Sequence, residues 1–138
     1  MDLRACGIKG FVKRVRFDEN LYHSLIKSSS KKLKSQKMLN LDDDTASSKI
    51  SLTYDSLREL LEALAISKGL KIYNHECYTA FLKEVMNESY LGDKFDAFRK
   101  ARNDINYYGK DVSATEAKHM IEAMITFIES LKSKLFKK

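Results

Sequence analysis

Apolar positions along the chain recur at helical spacing. Ile50, Tyr54, Leu57, Leu61 and Leu64 follow one another at i, +4, +7, +11 and +14, with Leu60 widening the stripe, so a long amphipathic helix is expected here. It ends at Lys68–Gly69, a cation near the helix C-terminus followed by a glycine suited to a left-handed cap. An earlier helix starts at Asp18, a good N-cap, with Glu19 in its first turn. Its stripe of Tyr22, Leu25, Ile26, Ser29 and Leu33 is thin, and Ser28–Ser29–Ser30 places small residues at mid-helix, where a close helix crossing fits. Asp42–Asp43–Asp44 interrupts the pattern and supplies negative charge for the next helix start.

Asn74 caps a third helix, in which Cys77, Phe81 and Val85 share a face flanked by Tyr78, Leu82 and Met86. Gly92–Asp93 reads as a turn with an N-cap, opening a fourth helix that points Phe98, Ala101 and Ile105 inward with Phe95 and ends at Gly109. Ser113-Ala-Thr-Glu116 is a capping box for the last helix. That helix carries Ala117, Met120, Ile121, Met124, Ile128, Leu131 and Leu135 on one face. Short connections between these segments predict an all-α, up-down antiparallel bundle of four to five helices over residues 18–138. Residues 1–17, with Gly7, Gly10 and β-branched or aromatic residues, form a basic lead-in that is either loose or a short extended piece packed on the bundle.

Composition agrees with this picture. Proline is absent and glycine occurs five times in 138 residues, too few for the turns of an all-β domain. Mean hydropathy is −0.42, and no apolar run is long enough for a transmembrane helix. The basic start lacks an apolar h-region, so no secretory signal is expected. Cys6 and Cys77 lack CxxC spacing, which argues against a disulfide framework or a zinc site and makes a reducing cytoplasm the expected location. The net charge of +6 is concentrated at the front. Residues 1–41 carry ten cations against three acids, and the remainder is close to neutral. A basic front attracts phosphate backbones or an acidic partner; a simply solvated face explains it as well.

The segment Phe98-Arg-Lys-Ala-Arg102-Asn103-Asp-Ile-Asn-Tyr107-Tyr108-Gly109, followed by the capped last helix, resembles the signature of the HEPN family of nucleotide-binding helical domains. Tyr54 with the Leu-Arg-Glu-Leu-Leu-Glu-Ala-Leu run to Gly69, and Asn74-His75 ahead of the third helix, are similar to other parts of that family; the resemblance covers residues 18–136. It implies a cytoplasmic homodimer that pairs its signature helices and binds a nucleotide or RNA. It further implies a minimal nucleotidyltransferase partner in a toxin–antitoxin-like arrangement, without cofactor, metal or membrane. Where many members place an acid/base histidine for metal-independent RNA cleavage, this chain has Tyr107. A tyrosine with an ordinary value near 10 is a poor general base at neutral pH, yet it can donate to a phosphate.

Arg99, Arg102, Asn103 and Asn106 stand at i, +3, +4 and +7 on one side of the fourth helix. With Tyr107 they are the candidate phosphate- or nucleotide-binding residues; no catalytic residue is assigned. The same residues suit an interhelical or dimer salt-bridge cluster with acids of the second or third helix. A ribonuclease in which another group replaces the histidine, and a plain helical interaction protein, remain the alternative functions. His23, His75 and His119 fall on three predicted helices without metal-site spacing and are expected to be surface or capping residues. Glu59 and Glu62 are expected on the exposed side of their helix, and Met120 with Met124 in the core. No G-x-G-x-x-G, P-loop or nucleophile elbow is present.

Overall fold

In the computed structural model, which describes residues 1–136, six helices and two short strands follow one another along the chain. Residues 137–138 and the side chain of Leu135, a predicted core position, lie outside the described residues. The elements are α1 (Leu3–Ile8), β1 (Val12–Arg14), α2 (Glu19–Met38), α3 (Ala46–Ser67), β2 (Leu70–Ile72), α4 (Glu76–Ala80), α5 (Ser89–Tyr107) and α6 (Ala114–Leu135). The all-α bundle expected from the sequence is what forms. Its centre is α3, on which Ile50, Tyr54, Leu57 and Leu61 are fully buried. Met124, Ile128 and Leu131 of α6 and Phe95 and Phe98 of α5 complete the core.

Several boundaries follow from local chemistry. The Asp18 carboxylate accepts from the Leu21 amide and starts α2. Ser113 and Glu116 make both bonds of the capping box that starts α6. Gly69, at φ +77°, closes α3, and its carbonyl accepts from the Val15 amide at the foot of the β1–β2 ribbon.

The α2–α3 pair is antiparallel, as its cross-contacts show. Ser29 Oγ donates to the Ser56 carbonyl at 2.7 Å, and Ser56 Oγ donates to the Ser29 carbonyl at 2.8 Å. Nearer the loop, the buried Lys49 ammonium donates to the Gln36 and Leu39 carbonyls, satisfying the C-terminal end of α2. The small residues expected at a crossing are therefore at one.

Three expectations are corrected, and one left open is settled. Gly92–Asp93 is not a turn: α5 starts at Ser89 and runs through it. A Cβ on Gly92 would lie 2.7 Å from Lys83 Cγ and 3.3 Å from the Thr79 carbonyl, so the glycine serves close packing within a helix. Before it, the chain passes from α4 through one π-helical turn over Phe81–Val85 and a left-handed Asn87. Cys6 and Cys77 are not lone thiols. They form a disulfide across 71 positions, fully buried, which removes the ground for expecting a reducing compartment.

Residues 1–17 are packed rather than loose. The disulfide holds α1 to α4, the Leu3 amide donates to the Glu84 carboxylate at 2.8 Å, and β1 pairs antiparallel with β2 through Val12–Ile72, Lys13–Lys71 and Arg14–Leu70.

Finally, Glu59 and Glu62 are not solvated. Glu59 is 7% exposed, accepts from the Ser28 hydroxyl and pairs with Lys32 at 3.2 Å. Glu62 pairs with Arg58 at 2.9 Å and Lys71 at 2.6 Å. Burial alone would raise the Glu62 carboxyl; hydrogen bonds from Lys71 and Arg58 overcome it and hold the group below its ordinary value. No helix among the described residues is long and apolar enough to cross a membrane.

Candidate functional site

Where α5 crosses α3, polar side chains meet at the edge of the core. Tyr54 is the anchor. Its ring is fully buried and stacks on Phe95, with centroids 5.9 Å apart. Its hydroxyl lies 3.1 Å from His75 Nδ1, a hydrogen bond whose direction follows the imidazole tautomer. Burial raises the Tyr54 hydroxyl far above its ordinary value, against the pull of Arg102. His75 moves the other way. Burial first, then the positive charges of Arg58 and Arg102, lower it to about 4, so the imidazole is neutral at physiological pH. The expected surface or capping histidine is thus a half-buried partner of a core tyrosine. It stands at the N-cap position of α4, yet the cap bond comes from Asn74, whose Oδ1 accepts from the Glu76 amide.

Arg102 covers this pair from outside. Its guanidinium carbon sits 5.2 Å from the centre of the Tyr54 ring and 5.7 Å from that of Tyr107. One Nη atom reaches the Tyr107 hydroxyl at 3.4 Å, and the other lies 3.9 Å from Asp55 Oδ1, the long end of an ion pair. Arg102 Nε is buried with no hydrogen-bond partner among the described residues. The side chain is 16% exposed, with its guanidinium within cation–π reach of both rings.

The other predicted residues divide into two groups. Asn103 is half-buried beside Arg102, and Asn106 accepts from the Ser51 hydroxyl at 3.2 Å, tying α5 to α3. Tyr107 and Tyr108 are exposed at the end of α5, 69% and 81% respectively. Arg99, by contrast, is engaged. It donates to Asp96 at 2.8 Å and lies 4.0 Å from Glu76, beside a shallow cleft of ≈ 250 Å³ that Thr79 and Lys100 also line. Asp96 is held below its ordinary value: burial opposes this, and hydrogen bonds from Arg99 and Lys100 prevail. The salt-bridge alternative therefore describes Arg99, which faces Glu76, and in part Arg102, whose long pair with Asp55 also crosses to another helix.

Reading the sequence alone missed Tyr54, Asp55 and His75 as members of this site. The one available signal was the placement of Tyr54 and Asn74-His75 in the family resemblance. Among the described residues, no group of three or more His, Cys, Asp or Glu side chains is arranged to hold a metal ion. Comparison of the chain with protein-family models, with curated proteins and with solved structures gives no match.

Proposed function

We propose that this chain is a HEPN-like binding module that holds a phosphate of a nucleotide or RNA at Arg102, with Asn103 and Tyr107 beside it. The observation that carries this reading is the state of Arg102. Its charge is permanent, it lies within cation–π reach of Tyr54 and Tyr107, and its only carboxylate partner among the described residues stands 3.9 Å away. A phosphate oxygen offers the charge-assisted hydrogen bonds that this geometry leaves incomplete. Arg99 contributes positive potential but keeps its carboxylates.

The tyrosine at the signature position favours binding over cleavage. Tyr107 is solvent-exposed and already faces Arg102, where its hydroxyl can donate to the same anion. Exposed Tyr107 and Tyr108 also give the end of α5 an aromatic surface on which a second copy can pair. A minimal nucleotidyltransferase is the protein partner that fits a module of this kind, in a toxin–antitoxin-like system.

A second reading, metal-independent ribonuclease, is favoured by one feature. His75 is a neutral imidazole that shares Tyr54 with Arg102, and is the group closest to replacing the missing histidine.

The test is equilibrium binding of fluorescent adenosine and guanosine nucleotides and a short RNA to the wild type and to Arg102→Ala. The variant should bind about 5- to 150-fold more weakly, the loss of about 1–3 kcal/mol expected for a charge-assisted hydrogen bond. Equal binding by both proteins would overturn the proposal. RNA cleavage by the wild type in chelator, abolished by His75→Gln, would establish the second reading in its place.

A further inference from the structure

Beyond its first turn, α2 carries lysines and no acid. Lys27, Lys31, Lys34 and Lys37 are exposed, and none of them makes an ion pair among the described residues. Lys32 alone is drawn inward, to Glu59. At 100° per residue the four free lysines fall within a sector of about 120°, and from first to last they extend about 15 Å along the axis. Leu25, Ser29 and Gln36 occupy the opposite, buried side. Neighbouring lysines at i,i+3 and i,i+4 repel one another and weaken the helix that bears them. The fold does nothing to relieve that repulsion: the acids nearest in sequence, Asp42 and Asp43, bond to backbone amides at the starts of α3 and α6.

The surroundings indicate what would cover such a face. The exposed residues beside the lysines are His23, Ser24, Ser30 and Ser35, which add hydrogen-bonding groups; Met38 at the C-terminal end is the one exposed apolar side chain on this face, against four lysines and no arginine, tryptophan or tyrosine anchor. Protein interfaces draw their energy from buried aromatic and arginine anchors and are depleted in lysine. A sugar–phosphate backbone needs only regularly placed cations and hydroxyls.

We infer that the outward face of α2 is a docking surface for the phosphate backbone of a nucleic acid, bound through charge and without reading base sequence. Exposed Arg14 and Arg16 lead into this helix, and Phe17 packs edge-on against Tyr22 at 5.6 Å, which keeps that lead-in against the start of α2. The inference is independent of the α5 site. Arg102 meets α3 at Tyr54 and Asp55, whereas α2 meets it at Ser56 and Glu59.

The experiment is fluorescence anisotropy across 50–200 mM salt with a labelled single-stranded RNA and a labelled DNA duplex. The proteins are the wild type, the quadruple Lys→Gln variant at positions 27, 31, 34 and 37, and Arg102→Ala. Four neutralised phosphates on a single strand give a log–log salt slope of about −3, so wild-type RNA affinity should fall about 50-fold over that range. The quadruple variant should lose most of this slope at both probes while circular dichroism shows an intact helical fold. A preference for one probe identifies which backbone the face takes.

Wild-type affinity and slope in the quadruple variant would overturn the inference, as would absence of binding at 50 mM salt. So would displacement of the RNA by poly-glutamate at equal charge concentration, which would point to an acidic protein. Weaker binding by Arg102→Ala with the lysine-dependent slope retained concerns the α5 site and leaves the α2 face standing.

Discussion

Breaking the Cys6–Cys77 bond isolates the contribution of chain connectivity to this fold. The bond closes a loop across 71 positions that contains α2, α3 and both strands. In the chain-entropy description such a cross-link removes about 4 kcal/mol of freedom from the unfolded state at 25 °C. The folded state should change little on reduction. Both cysteines are fully buried, and α1 and β1 remain held by the Leu3–Glu84 bond and the pairing with β2. With an unfolding entropy of about 2.1 cal/mol/K per residue over this length, the loss corresponds to about 15 °C in Tm. The measurement is thermal unfolding followed by far-UV circular dichroism, with and without reductant, on the wild type and on the Cys6→Ala/Cys77→Ala variant. Reductant should lower the wild-type Tm and leave the variant unmoved. Thiol titration of the denatured, unreduced wild type should find no free thiol. Two free thiols, or a wild-type Tm indifferent to reductant, would refute the reasoning and restore the reading of two separate cysteines.

Two further predictions concern the interior. His75 is held neutral at about 4 against an ordinary 6.5, so between those values the unfolded chain binds more protons than the folded one. Stability from this group is therefore fully present above pH 6.5 and declines as pH falls toward 4. Calorimetry from pH 7 to 4.5 should show a shallower decline for His75→Gln than for the wild type, and parallel profiles would contradict the assignment. At the α2–α3 crossing, Ser56→Ala should cost about 1 kcal/mol for the lost hydrogen bond to Ser29. Ser56→Val should cost about 2–4 kcal/mol, because its added methyl group must fit where Ser56 is fully buried. Urea midpoints that rank valine at or above alanine would show that the crossing has room to spare.

What the sequence disclosed was its local chemistry. Asp18, Gly69 and the Ser113–Glu116 box mark helix ends because each satisfies backbone groups within a few residues, and such groups can be identified without knowing the fold. Gly92 shows where that logic stops. A glycine permits a turn and also permits two helices to touch, and only the position of Lys83 and Thr79 decides between them. Cys6 and Cys77 are similar, since their partnership depends on α1 folding back onto α4. His75 stands at a helix start, yet it is not the surface or capping residue the sequence suggests. Its hydrogen bond goes to Tyr54, 21 positions earlier, which helical periodicity counts simply as a core residue. Of the candidate site, Arg102, Asn103 and Tyr107 could be located from the sequence, but the tyrosine and histidine beneath them emerge only from the packing of α3, α4 and α5.

The acids of α3 explain why the open cation is Arg102 and not one of its neighbours. Asp55, Glu59 and Glu62 stand at i, +4 and +7, and each meets a cation brought by a different part of the fold. Lys32 comes from α2, Lys71 from β2 together with Arg58 of α3 itself, and Arg102 from α5. The Glu59 and Glu62 pairs are short and largely shielded from solvent, so exchanging either carboxylate for a ligand would leave a charge buried without a partner. The Asp55 pair is the long one, at 3.9 Å, and Asp55 is 32% exposed and can turn back to water. Among the cations paired with these three acids, Arg102 is the one that can take a new anion with the least loss to the fold. Its position does not rest on Asp55 alone, because the Tyr54 and Tyr107 rings both lie within cation–π reach of it. An arginine placed against aromatic rings and only weakly paired suits the exchange of a carboxylate for a phosphate that the proposed function requires. That combination favours placing the ligand at this crossing of α3 and α5 over the tighter ion pairs elsewhere on the bundle.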